Sequence, residues 1–260
     1  MIIDSHLHLR VAHLSKVEEH LAIVFKELER GGIEKTCAML TTGVFPALNY
    51  DSNFQRNIAE ILKKSVELYP DKLYPLLNIN PLLPSDFLID LLKEFIVEGP
   101  LLGVKLTIHM NARDRRLEKL CEFMEAHDIP VLWHSWYKTT CKFKFESDPS
   151  DIAYFARKFP RIRVLMAHMT AARARGIQDI KDCPNVSIDT SGSQPEDGYM
   201  EYALKHLGAD RILFGSDYPC RDIPVQLGRI ESIPLSEEEK EKILCRNAVN
   251  FFCGSSRVKA

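Results

Sequence analysis

The chain has 260 residues, 45% hydrophobic and 27% charged, with 34 basic and 36 acidic side chains that leave a formal charge of −2. Such a composition excludes a disordered, collagen-like or coiled-coil chain, and the near-neutral balance gives no broad electrostatic footprint for nucleic acid or anionic lipid. No stretch reaches the roughly 18 apolar residues of a membrane span.

The opening MIIDSHLHLR lacks the charged and apolar regions of a signal peptide. Seven scattered cysteines without a C-x-x-C pair suit a reducing, cytoplasmic setting.

Taken in chain order, short β-rich runs alternate with longer helix-period segments, the pattern of βα units on a parallel sheet. Residues Met1–His8 read as a strand. Val17–Arg30 read as a helix whose apolar stripe is Val17, Leu21, Val24, Phe25 and Leu28, stopped by Gly31-Gly32.

Further strands are expected at Thr36–Leu40, Leu73–Asn80, Leu101–Ile108, Pro130–Ser135, Arg163–His168, Asn185–Ser191 and Arg211–Asp217. Helical segments are expected at Asn53–Leu68, Asp86–Val97, Arg115–His127, Pro149–Lys158, Ala171–Lys181 and Glu196–Leu207. A final segment, Ser236–Phe252, opens on Ser236-Glu-Glu-Glu239, a capping box that announces an extra C-terminal helix.

Eight such strands use up the ~250 residues of a closed (β/α)8 TIM barrel. The sequence has no glycine-rich phosphate loop, linker or fixed-period repeat, so residues 1–260 read as a single domain. Two longer segments, Thr41–Ser52 and Trp136–Asp148, follow strand C-termini, where barrel enzymes build their sites.

Chemistry concentrates at the same strand ends. In Asp4-Ser-His6-Leu-His8 the two histidines are two apart on a strand and share a face, so both imidazoles can meet one ion. His134 closes the fifth strand, His168 the sixth and Asp217 the eighth, so five imidazole or carboxylate groups converge on one rim. His13, His20, His127 and His206 fall in helices or loops and are read as structural.

These motifs resemble the metal-dependent amidohydrolase superfamily, and most closely its amidohydrolase-related branch of small TIM-barrel hydrolases and nonoxidative decarboxylases. The matching pieces are MIIDSHLHL, GVKLTIH, IPVLWHSW, VLMAHM, NVSIDTSG, DRILFGSDYP and ILCRNAVNFF. The resemblance implies a divalent metal, most often zinc, held by His6, His8, His134 and Asp217, with His168 polarising the substrate or holding a second ion. Manganese and iron are alternatives, and one ion is expected over two.

Three imidazoles and a carboxylate also suit zinc on chemical grounds, with a position open for water or substrate. Asp217 then acts as general base and His168 as an oxyanion or carbonyl partner. The fourth strand departs from the family pattern: Gly103-Val-Lys-Leu-Thr-Ile-His109 is two residues longer before its histidine. In binuclear members a lysine on this strand can be carbamylated, so Lys105 leaves the metal count open.

His109, Lys105, Trp136 and Tyr137 are the candidates for substrate contact, while Trp133 is expected to point into the helix layer. Asp4 is expected to orient a ligand imidazole or to cap its strand end. Asp189 has a similar reading. The basic residues Arg113, Arg115 and Arg116 are read as a solvated helix start, with a substrate carboxylate as the alternative.

The expected reaction is hydrolysis of a C–N or C–O bond in an amide, cyclic amide or lactone by metal-activated water. Nonoxidative decarboxylation of a small carboxylated ring at the same site is the alternative. A phosphoesterase is disfavoured, because that branch places Glu where this chain has Lys105. The expected partner is a small molecule, with neither nucleic acid nor membrane, and a homodimer is an option.

Overall fold

Eight parallel strands form a nearly closed barrel in the computed structural model, which describes residues 1–11, 13–41, 51–138, 140, 142–193 and 197–252. They are β1 (Ile3–Leu9), β2 (Lys35–Leu40), β3 (Leu76–Asn78), β4 (Gly103–Leu106), β5 (Val131–Trp133), β6 (Val164–Met166), β7 (Val186–Asp189) and β8 (Ile212–Leu213). Pairing is continuous from β3 to β8, and β1 pairs with β2.

Backbone bonds knit the two seams. Thr36 N–H donates to Lys72 O at 2.9 Å and Tyr74 N–H to Thr36 O at 2.8 Å, while Ser5 N–H donates to Phe214 O at 2.9 Å and His8 N–H to Tyr218 O at 2.7 Å. The expected single-domain (β/α)8 barrel is the observed one.

Helices follow the strands: α1 (Val17–Arg30), α2 (Ser52–Leu68), α3 (Ser85–Leu92), α4 (Glu118–Ala126), α5 (Pro149–Lys158), α6 (Met169–Ile180), α7 (Tyr199–Leu207), α8 (Ile223–Glu231), α9 (Glu237–Glu241) and α10 (Asn247–Phe252). The capping box at Ser236 and Glu239 is formed. Helix α8 is absent from the sequence reading because its buried face includes Gln226 between Ile223 and Ile230, which interrupts the apolar stripe that periodicity detects.

Strand alternation divides the apolar residues into two layers. Val104, Val131, Trp133, Val164, Met166, Ile188 and Phe214 face the helices, and the Trp133 ring meets Phe155 of α5 at 4.8 Å between centroids. Ile3, Met39, Leu76, Leu132, Leu165 and Leu213 fill the barrel interior, where Ala248, Phe251 and Phe252 of α10 close its lower end. Phe251 and Phe252 therefore pack on the barrel. The opposite end carries the polar residues. Of the segment 41–52, residues 42–50 lie outside the described residues.

Candidate active site

β1 and the loop after β8 bring the first cluster together. β1 ends in His6 and His8, and a register shift between Asp4 and Leu7 locally bulges that strand. The His6 and His8 Nε2 atoms lie 3.2 Å apart. Asp217, four residues beyond β8, reaches His8 Nε2 with Oδ1 at 3.2 Å and His6 Nε2 at 3.7 Å.

Asp217 has φ +58° and His168 φ +73°, left-handed values that cost a non-glycine residue on the order of 1–3 kcal/mol. The Asp217 N–H is tied to His6 O at 2.7 Å, which holds the carboxylate over the histidine pair.

The second cluster joins the first through His6. Its Nδ1 lies 2.8 Å from Asp189 Oδ2, and the other Asp189 oxygen accepts the N–H groups of His168 and Ser191, each at 3.0 Å. His168 Nδ1 is 2.9 Å from Ser191 Oγ, and its Nε2 is 3.2 Å from His134 Nδ1. The remaining ring nitrogen of His134, Nε2, meets Glu146 Oε1 at 2.7 Å.

The far nitrogens of His6, His134 and His168 are thus each engaged, the arrangement that fixes ring orientation in metal-binding histidines. The His8 Nδ1 is buried without a hydrogen-bond partner among the described residues.

Lys105 is buried among these groups, its Nζ 3.3 Å from His6 Nε2. Burial pulls its pKa down to about 8, with Asp189 and Asp217 pulling the other way. Burial likewise takes His8 down to about 4 and lowers His134 and His168, so these imidazoles are neutral donors at neutral pH. For Asp217, burial pushes upward, but the His8 hydrogen bond and the electrostatic attraction of the His168 and His6 rings outweigh it and hold the carboxyl well below its usual range.

The donor set fits a divalent ion. His6 Nε2, His8 Nε2 and Asp217 Oδ1 form a triangle with sides of 3.2, 3.2 and 3.7 Å, close to the ~3.4 Å edge of a tetrahedron with ligand bonds of about 2.1 Å. His6, His8 and Asp217 form one potential ligand group, and His6, His168 and Asp189 form another. In the second, Asp189 is already saturated by hydrogen bonds, which suits an orienting carboxylate better than a ligand.

Other expectations meet mixed outcomes. Trp136 lies beside the cluster, its ring centroid 5.5 Å from that of His168. Tyr137, expected to wall the pocket, is turned away: its hydroxyl donates to Asp179 of α6 and its ring lies under Arg175. His109 is buried beyond β4 with Nδ1 2.6 Å from Thr107 Oγ1, and it belongs to neither ligand group.

Asp4, expected to orient an imidazole or to cap its strand end, accepts from the backbone N–H of His6 and of Ser216 and from the Ser216 hydroxyl at 2.5 Å, as a cap does. It fastens β1 to the loop that carries Asp217, and burial raises its pKa to about 6. Asp189 is the carboxylate that orients His6. Arg113, Arg115 and Arg116 are paired with Asp151, Glu118 and Asp114 at the surface, as a solvated helix start requires. Glu146 is the residue that the sequence reading missed altogether.

The sequence matches the amidohydrolase family over residues 50–253. The chain belongs to that family. His6 and His8 precede the matched span, so the ligand pair on β1 is carried by the motif and geometry above. No curated protein sequence matches this chain.

Among solved structures, 2,6-dihydroxybenzoate decarboxylase from Rhizobium is similar with a TM-score of 0.78 at 15% identity, over 97% of this chain and 98% of the other. A dihydroxybenzoic acid decarboxylase from Polaromonas with bound manganese and 2-nitroresorcinol aligns with a TM-score of 0.75 at 16% identity, over 97% and 96%. A candidate 2-pyrone-4,6-dicarboxylic acid hydrolase from Pseudomonas putida gives 0.68 at 16% identity, over 98% of both chains. At these identities the likeness establishes the fold. Among the described residues no helix is long and apolar enough to cross a membrane.

Proposed function

We propose that this amidohydrolase-family chain is a metal-dependent enzyme that removes the carboxyl group of a small ring-bearing carboxylate as carbon dioxide. The observation that carries this reading is Lys105, a buried ammonium beside the histidine cluster with no ion-pair partner among the described residues. Asp189 and Asp217 act on Lys105 only from beyond ion-pair distance, so a substrate anion would give the ammonium a direct partner.

With a divalent ion bound, the ion and Lys105 against Asp189 and Asp217 leave a surplus of about one positive charge, which favours an anionic substrate. The names of the decarboxylases from Rhizobium and Polaromonas support the same chemistry.

The proposed holders of the metal are His6, His8 and Asp217, whose donor atoms form one group, with His134, which lies outside that group beside His168, as the fourth. Zinc suits such a set, manganese accompanies one related decarboxylase, and one ion is proposed. When bound, the metal supplies Lewis-acid polarisation of a substrate oxygen.

The rest of the work falls to this chain's own groups. Lys105 holds the carboxylate. Asp217, ionised, takes a proton from a substrate hydroxyl and returns it to the ring carbon that bears the carboxyl group. The C–C bond then breaks, its electron pair returns to the ring, and carbon dioxide leaves. His168, kept neutral and fixed by Ser191, is placed to hydrogen-bond a substrate oxygen, and the Trp136 ring supplies an apolar wall.

Hydrolysis of an amide or lactone at the same residues is the second reading. It is favoured by the place of the Asp217 carboxylate over the histidine pair, where a general base for water would stand, and by the name of the Pseudomonas relative. The deciding experiment supplies metal-loaded protein with hydroxylated aromatic carboxylates and, separately, with lactones and cyclic amides. Carbon dioxide release from the carboxylates is expected. Turnover confined to lactones or amides would replace decarboxylation by hydrolysis, and no turnover on any panel would count against both.

A further inference from the structure

Glu146 lies 12 residues beyond His134 in the long segment after β5, yet its carboxylate is fully buried. Its Oε1 meets His134 Nε2 at 2.7 Å and Lys138 Nζ at 2.8 Å, and its Oε2 accepts the Phe143 N–H at 3.1 Å. Lys138 in turn sits over the Trp136 and Phe143 rings, 5.4 and 4.7 Å from their centroids. The segment is also pinned from both sides: Trp136 N–H donates to Ser147 O at 3.1 Å and Ala112 N–H to Ser147 Oγ at 3.0 Å.

A buried carboxylate is costly unless its oxygens are engaged, and here the engagement is with a site histidine. An ionised carboxylate accepts only, so the Glu146 contact requires the His134 proton on Nε2. That leaves Nδ1, the nitrogen that faces His168 Nε2 at 3.2 Å, with its lone pair directed into the cluster.

We infer that Glu146 is a positioning residue that sets the His134 tautomer and ring orientation, and so couples the Trp136–Asp148 segment to metal affinity. The inference rests on the proposed metal site for its affinity consequence, while the tautomer stands on the metal-free protein alone. Lys138 supplies the counter-charge to the Glu146 carboxylate inside the fold, and its stacking on Trp136 links the same unit to the wall of the site.

Two readings test it. In the metal-free wild type at neutral pH, long-range 1H–15N correlation spectra, with His134 assigned by comparison with His134→Gln, are expected to give the proton on Nε2. A proton on Nδ1 would overturn the inference. Competition with a chromophoric chelator for zinc then gives the affinity: Glu146→Leu is expected to weaken binding about 10–100-fold. Glu146→Gln, which keeps an acceptor oxygen, should recover part of that loss.

Wild-type zinc affinity in Glu146→Leu would overturn the inference. So would equal losses in the Leu and Gln variants with the tautomer unchanged, the result of a merely structural role. If Glu146→Leu does not fold, the wild-type tautomer still decides. A wild type that binds no zinc would overturn the metal site itself and leave the tautomer reading intact.

Discussion

In its lower half the barrel interior is filled by Ile3, Met39, Leu76, Leu132, Leu165 and Leu213 and closed by Phe251 and Phe252. A short step further along the same strands it holds His6, Lys105, His134, Asp189 and Asp217, all buried. The lower half gains from every apolar surface removed from water. The upper half spends free energy on desolvated charges and on the left-handed backbone of His168 and Asp217.

The same strand geometry therefore serves two ends. The apolar half holds up a polar half that would not fold on its own merits, and substitutions in the two halves should separate stability from chemistry.

The largest expected effect on chemistry is at Asp217. Asp217→Asn should lower kcat by about 10²–10⁴-fold with the circular dichroism spectrum and melting behaviour retained; a variant of unchanged rate would break the division between halves. On the other side, Leu132→Ala should cost about 2–5 kcal/mol of stability in denaturant unfolding. Metal affinity of the folded fraction should be kept, and a parallel loss of metal would show that the halves are not separable.

Lys105→Met removes a charged partner worth about 1.5–3 kcal/mol, which corresponds to roughly 10–100-fold in kcat/KM toward carboxylates. Equal losses on neutral substrates would argue against its anion role. The smallest effect is expected at Tyr137, whose hydroxyl belongs to Asp179 rather than to the site. Tyr137→Phe should leave kcat/KM within about twofold, since surface changes away from special features shift little, and a large fall would return Tyr137 to the pocket.

The sequence made much of this legible where periodicity governs. Val17–Arg30 was readable to the residue because its apolar stripe is uninterrupted, and His6 with His8 because a two-residue spacing on a strand leaves little freedom. Convergence of His134, His168 and Asp217 followed from counting strands.

What lay beyond reach depended on loop conformation or on a choice among similar groups. Glu146 meets His134 from 12 residues further along the chain, and no period encodes that contact. Asp4 and Asp189 are both carboxylates at strand ends, and only the register of β1 against the Asp217 loop gives Ser216 to one and His6 to the other. Tyr137 follows Trp136 directly, and the chain's turn there sends one ring to the site and the other to α6.

The most direct measurement is the metal content of the wild type and of Asp217→Asn, purified without chelator and quantified by mass spectrometry. About one equivalent of a divalent ion per wild-type chain, falling sharply in the variant, is the predicted result. A wild type that carries none and takes up none on dialysis against zinc or manganese would contradict it.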